Sequence, residues 1–273
     1  IEKEIAEKLG NDKVKFYPGV SYRHLLVLKG AGKDSIKDLT LTPPHNILDQ
    51  TVGDHLPKGS LSDTLTTLIK QSNEVLKKHD INQKRSLSGQ KQGNNIWFWG
   101  QGTSPKLECF EEKYGVKGAM ISAVDLLFGI AACCGMEIVK VEGATGYLDT
   151  NYMGKAKAAV ETLKGDADFV YMHVEATDEA GHLGSVEEKI RAIERLDEAV
   201  GYILENFDGC VMLMPDHPTP IAKKTHTHDA VPFVVMGKDE ADSVSAYTEK
   251  DVRENGAYGL MKAVDLLPMV FSE

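Results

Sequence analysis

The chain has 273 residues, 42% of them apolar, which is enough for one large domain or two modest ones with a real core. Its formal charge is −10 and its pI near 5.4, so the average surface repels nucleic acid and anionic membranes, and neither is expected as a partner. No apolar run approaches the ~18 residues of a membrane span, and the opening IEKEIAEKLGNDKVK lacks the basic-then-apolar order of a signal peptide.

Cys109, Cys133, Cys134 and Cys210 have neither zinc-finger spacing nor the density of a secreted disulfide scaffold. They are expected to be reduced, mostly buried thiols in a cytoplasmic protein. Only five of the 31 basic residues are arginines, and Arg23 and Arg85 are the two in the first half. The chain opens on Ile rather than Met, inside a helical pattern, which suggests a start partway into a longer protein.

Residues 1–103 read as a small α+β module. A short opening helix precedes the apolar strand His24 to Leu28, the Thr/Pro loop LTLTPPHN, and an amphipathic helix near Leu61 to His79 whose Leu65, Leu68, Val75 and Leu76 share a face. Trp97, Phe98 and Trp99 read as a core strand near a seam at Gly100-Gln101-Gly102.

Residues 104–273 alternate strand and helix: VKGAMIS, a helix over 123–134, MEIVKV, a helix over 153–164, DFVYMHV, a helix over 185–205, GCVMLM, VPFVVM, and a last helix near 256–267. That order predicts an α/β fold, with a mostly parallel sheet and helices on both faces. The GCVMLM run reads as a buried central strand. In the 185–205 helix, Ser185 with Glu188 forms a capping-box pattern, and Ile190, Ile193, Leu196 and Val200 are expected to face the core.

Three stretches of this half carry candidate metal ligands: Asp178 and His182 in TDEAGH, Asp216 and His217 in PDHPTP, and His226 or His228 in THTHDAVPF. Carboxylate and imidazole together suit borderline divalent cations, and loops at the carboxyl ends of strands are where open α/β sheets place their chemistry. Asp178 and His182 are placed on such a loop. Taken singly, each could be an ordinary turn residue; three neighbouring loops together suggest a two-metal site. Gly143 to Gly146 is read as a turn, since it lacks the Walker and dinucleotide patterns.

FYPGVSYRHLLVL, TPPHNIL, NQKR, NNIWFWGQG, GAMISAVDLLFGIA, GATGYLDTNYMGKA, DFVYMHVEATDEAGHLG, PDHPTPI and THTHDAVPF resemble the archaeal-type, cofactor-independent (2,3-bisphosphoglycerate-independent) phosphoglycerate mutases of the alkaline phosphatase superfamily. The resemblance implies an alkaline phosphatase-like domain with a smaller inserted domain that caps the substrate. It implies two divalent ions, usually manganese, with magnesium, zinc or cobalt also used, and no bisphosphoglycerate. The implied reaction moves a phosphoryl group between the 2- and 3-hydroxyls of glycerate through a phosphoserine.

By the same resemblance Asp178, His182 and His226 hold one metal, leaving His228 a bystander, and Asp216 and His217 belong to the other. Arg23 and Arg85 are implied to grip phosphoglycerate, with His24, Asn82 and Lys84 weaker candidates. Lys155 is read either near the site or on a solvated helix face. The family's Asp-Gly strand and serine nucleophile match no motif here, so this chain alone is expected to be inactive. Two other readings are a different phosphoryl-transfer or phosphonate hydrolase reaction of the superfamily and a non-catalytic fragment.

Overall fold

A computed structural model describes residues 1–19, 23–47, 49–238 and 241–271, with the side chain of His45 not described. Val20, Ser21 and Tyr22 of the first motif and Leu48 of TPPHNIL lie outside the described residues. The chain divides into two compact units, Ile1–Ser104 and Pro105–Glu273.

The first unit runs α1 (Glu2–Leu9), β1 (Val14–Tyr17), β2 (Leu25–Leu28), α2 (Lys33–Lys37), α3 (Ser62–Lys78) and α4 (Asp80–Leu87). β1 and β2 pair antiparallel, with Val14 opposite Leu28. The amphipathic α3 buries Leu65, Leu68, Ile69, Val75 and Leu76, and Ile5 of α1 packs against the last two. After α4, residues 90–109 form no regular element, so the strand expected at Trp97 to Trp99 is not present. Trp97 is instead fixed by its own indole, whose Nε1 donates to the Thr42 carbonyl at 2.8 Å, and Trp99 is 40% exposed.

The second unit contains α5 (Phe110–Tyr114), β3 (Gly118–Ile121), α6 (Asp125–Cys133), β4 (Glu137–Val139), α7 (Tyr152–Leu163), β5 (Phe169–Met172), α8 (Ala176–Leu183), α9 (Val186–Asn206), β6 (Val211–Leu213), β7 (Val234–Met236), α10 (Glu249–Asn255) and α11 (Leu266–Phe271). Its parallel sheet has the order β4-β3-β5. The fold is thus mixed α/β with a parallel sheet. The GCVMLM run is not a strand inside that sheet: among the described residues β6 pairs with β7, antiparallel, and its three residues are only half-buried. An apolar run reports burial and strand propensity but not the direction of its neighbour.

The core beside the sheet is built on alanine. Ala156 of α7, Ala176 of α8, and Ala192 and Ala199 of α9 are nearly inaccessible, and Leu148, Met172, Leu196 and Ile203 pack around them. Small side chains at the crossing points let helix axes approach closely. They also set the roll of α9. The buried face runs through Ala192, Leu196, Ala199 and Ile203, spaced four, three and four residues apart, whereas Ile190 and Ile193, expected in the core, are each 51% exposed. The predicted capping box is partly realised, with Ser185 Oγ accepting from the Glu188 amide at 3.2 Å.

Two further expectations are corrected. The last helix is not continuous over 256–267: Thr248 caps α10, which stops before Gly256, and Gly259 in a left-handed conformation (φ 65°) separates it from α11. Cys133 is exposed, and Cys109, Cys134 and Cys210 are half-buried rather than buried. Among the described residues no helix is long and apolar enough to cross a membrane.

Candidate metal centre

Asp178 and His182 lie on α8, not on the loop the sequence suggested, four residues apart and therefore on one face of the helix. TDEAGH reads as a turn because it lacks an apolar stripe and contains glycine. The glycine has a tertiary purpose: a Cβ on Gly181 would lie 2.5 Å from the Thr219 carbonyl oxygen, so only glycine lets α8 approach the Asp216 to Pro220 segment this closely. α8 then ends at Gly184, also left-handed (φ 73°).

Four of the candidate side chains converge. His182 Nε2 lies 3.1 Å from His226 Nε2 and 3.2 Å from Asp178 Oδ2, and His226 Nε2 lies 3.3 Å from Asp178 Oδ1. His217 stacks on His226 with ring centroids 3.7 Å apart and reaches Asp178 Oδ1 at 3.9 Å through Nδ1. Asp216 touches the cluster through His217, its Oδ2 3.3 Å from His217 Nε2. Asp178, His217 and His226 together present three ligand atoms within 4.8 Å of one another.

The surrounding contacts orient these groups. His182 Nδ1 faces the Lys224 carbonyl at 3.0 Å. A carbonyl only accepts, so Nδ1 is the donor of that bond, and Nε2 is the nitrogen turned toward the cluster. Lys224 itself adopts a left-handed conformation (φ 54°), uncommon for a residue with a side chain, and thereby aims its carbonyl at the imidazole. Thr219 Oγ1 donates to Asp178 Oδ1 and lies 3.3 Å from His217 Nδ1, tying the two chain segments together.

The donor set fits a divalent cation. Ligands ~2.0–2.2 Å from a tetrahedral ion are separated by roughly 3.3–3.6 Å, close to the 3.1–3.3 Å edges joining Asp178, His182 and His226. Imidazole lone pairs and a carboxylate at such separations repel unless a cation or protons lie among them. His217 shares this cluster with Asp178 and His226, and Asp216 adjoins it through His217.

Beneath the centre, burial perturbs groups that carry no role in the ligand reading. His173, at the end of β5, is held below its ordinary pKa by burial, against the pull of Asp216, and its Nδ1 lies 3.3 Å from Ser122 Oγ. Glu175 is pushed up by burial and by the neighbouring Glu179 and Asp178. Glu175 Oε2 also closes on the Gly143 to Gly146 turn, where a Cβ on Gly146 would approach it to 2.5 Å. Next to Asp216 and His217 opens a cavity of about 360 Å³ that Met214, His228, Phe233 and Leu266 also line.

Of the other candidates, Arg23, His24, Asn82, Lys84 and Arg85 belong to the first unit and Lys155 to the second. Arg85 is on α4 in the first unit, exposed, with Nη1 donating to the Lys91 carbonyl at 3.4 Å; Arg23 is exposed just before β2. Asn82 is 1% exposed and its side-chain amide donates to the carbonyls of Leu76 and Gly93. His24 pairs with Glu2 at 3.2 Å, and Lys84 is exposed. Lys155 is not on a solvated face: it is 1% exposed.

Comparison with known proteins places the chain in a family. Residues 23–273 match the model of the metalloenzyme superfamily. The chain is 48% identical over 271 residues to a 2,3-bisphosphoglycerate-independent phosphoglycerate mutase of Methanosarcina acetivorans, covering 96% of this chain and 67% of that protein. The chain belongs to the 2,3-bisphosphoglycerate-independent phosphoglycerate mutase family. A relative with the same description from Saccharolobus solfataricus is 37% identical over 266 residues, covering 92% of this chain and 63% of its own length. A solved structure from Pyrococcus horikoshii superposes over the whole chain and 68% of its own with a TM-score of 0.77 at 30% identity. The cofactor-independent phosphoglycerate mutase of Thermoplasma acidophilum shares the fold, with a TM-score of 0.63 at 21% identity over 98% of this chain and 67% of its own. The chain spans about two thirds of the length of the relatives it matches.

Proposed function

We propose that the cluster on α8 and the two following segments is the metal centre of an intramolecular phosphoryl transfer that interconverts 2- and 3-phosphoglycerate. The carrying observation is the convergence of Asp178, His182 and His226, with His217 and Asp216 beside them, in a chain of this family. Two divalent ions, manganese by preference, are the proposed occupants, with no bisphosphoglycerate, and the setting is cytoplasmic glycolysis and gluconeogenesis.

Divalent cations supply charge neutralisation for a phosphoryl group and lower the pKa of a hydroxyl close to them. The chain's own residues provide the frame for that chemistry. Asp178 faces His182 with one oxygen and His226 with the other; the Lys224 carbonyl sets the His182 tautomer; Thr219 holds Asp178 against the Asp216 to Pro220 segment. Phosphate monoesters are otherwise extremely inert, so charge is the main need. The substrate must also stay bound while its two hydroxyls exchange places, which calls for cationic side chains with a fixed donor geometry.

Arg23 and Arg85 are the residues proposed for that grip. In a chain of the family's full length, Arg85→Ala is expected to raise the KM for 3-phosphoglycerate roughly tenfold to hundredfold, the ~1.5–3 kcal/mol of a hydrogen bond to a charged group, with Mn²⁺ affinity unchanged. Steady-state kinetics beside a metal titration checks this. Unchanged kinetics would return Arg85 to the solvated surface.

A further inference from the structure

Two lysines outside the ligand set point at the same short connection from two helices that pack on one another. Lys155 lies on the buried face of α7 with Tyr152, Ala156 and Ala159, and its Nζ donates to the His173 carbonyl at 3.0 Å. Lys189 lies one turn before Ala192 on the packed face of α9, and its Nζ donates to the Thr177 carbonyl at 2.7 Å. His173 and Thr177 bracket the turn from β5 into α8, and Asp178 is the next residue.

Burying an ammonium group is costly, and burial lowers the pKa of both lysines, with Glu175 opposing this for Lys155 and Asp178 for Lys189. Packing alone would be served better by leucine or methionine at either position. What lysine adds is a charged donor long enough to reach a backbone carbonyl across a helix interface. The same connection is held from the sheet side by the His173 amide, which donates to the Ile121 carbonyl at 2.8 Å, and by Ser122 Oγ against His173 Nδ1. From the helix side the two ammonium groups add charged donors to the His173 and Thr177 carbonyls.

We propose that Lys155 and Lys189 are positioning residues for the metal centre: from α7 and α9 they clamp the β5–α8 connection and so set the place of Asp178 and His182. The inference rests on the metal reading above and adds two residues that touch neither ion nor substrate. Partners of this outer kind typically change metal affinity by roughly tenfold to hundredfold when removed.

The test uses the 273-residue chain and its Lys155→Met and Lys189→Met variants, which keep the apolar stem and remove the donor. Free Mn²⁺ is followed by electron paramagnetic resonance, and folding of the metal-free proteins by circular dichroism and thermal melting. The expected result is a Kd for Mn²⁺ raised about tenfold or more in each folded variant. Lys189→Arg, which restores a donor, should recover most of the affinity. Ser72→Ala, which destabilises the first unit by removing a buried hydroxyl bonded to the Ile69 carbonyl, should leave the Kd unchanged.

Lowered melting temperatures with an unchanged Kd would overturn the proposal, because the lysines would then be scaffold and nothing more. If Lys155→Met does not fold, the more accessible Lys189 decides it by the same criterion. Failure of the unaltered chain to bind Mn²⁺ would overturn the metal centre itself and this inference with it, a result distinguishable from binding that ignores both lysines.

Discussion

Replacing Asp178 by alanine is expected to abolish turnover in a family-length chain and to remove metal binding in this one. Asp178 is where the centre is joined: its two oxygens face His182 and His226 at 3.2 and 3.3 Å, and it accepts from Thr219. Alanine deletes the carboxylate charge and leaves imidazoles facing one another with nothing anionic between them. Charge stabilisation by metal is worth several kcal/mol, so the loss in kcat should be on the order of 10³-fold or more. Stopped assays of 3-phosphoglycerate conversion beside a Mn²⁺ titration measure both effects. Asp178→Ala turnover within tenfold of the parent would remove Asp178 from the centre.

The second large effect concerns the 273-residue chain by itself. It spans about two thirds of the length of its relatives, and the serine and N-terminal aspartate implied by the family resemblance match none of its motifs. Phosphoryl transfer through a phosphoserine needs both. Loaded with Mn²⁺ and given 3-phosphoglycerate, this chain is expected to form no 2-phosphoglycerate above background, whereas a family-length chain turns over at ~1–10³ s⁻¹. Turnover at such rates by the 273 residues alone would show that the nucleophile lies among them.

The sequence exposed the chemistry more clearly than its geometry. Asp178 and His182 could be named as candidates from residue type and position, because an acid and imidazoles at the ends of successive strands suit a divalent cation, whereas His226 was chosen over His228 only by the family resemblance. Placing Asp178 and His182 on a helix was beyond periodicity. α8 depends on Gly181 fitting against Thr219 and on Ala176 and Ala180 being buried, which are tertiary facts carried by small residues with no amphipathic signal. His217 was assigned to the second ligand group by resemblance, yet it stacks on His226 and shares Thr219 with Asp178. Spacing cannot show that a side chain just past a strand turns toward its neighbour's ligands.

Local signals with a covalent or capping basis read well. Ser185 begins α9 as its spacing with Glu188 suggests, and the apolar stripe of α3 is the face it buries. Signals that depended on assuming that apolar means core did not. Ile190 and Ile193 match the helical period, but alanines at 192 and 199 permit closer packing and turn the helix by them. Lys155 shows the converse. A lysine on a helix is usually solvated, and here only its position between Tyr152, Ala156 and Ala159 reveals a buried face.

Equilibrium titration of the 273-residue chain with Mn²⁺, read by electron paramagnetic resonance of the free ion, tests the central claim most directly. The account predicts that the site of Asp178, His182 and His226 binds one Mn²⁺ saturably, and that this binding is lost in His182→Ala and in His226→Ala while both variants keep their folded circular dichroism. Absence of saturable binding, or binding that persists in either variant, would contradict a metal centre built on Asp178, His182 and His226.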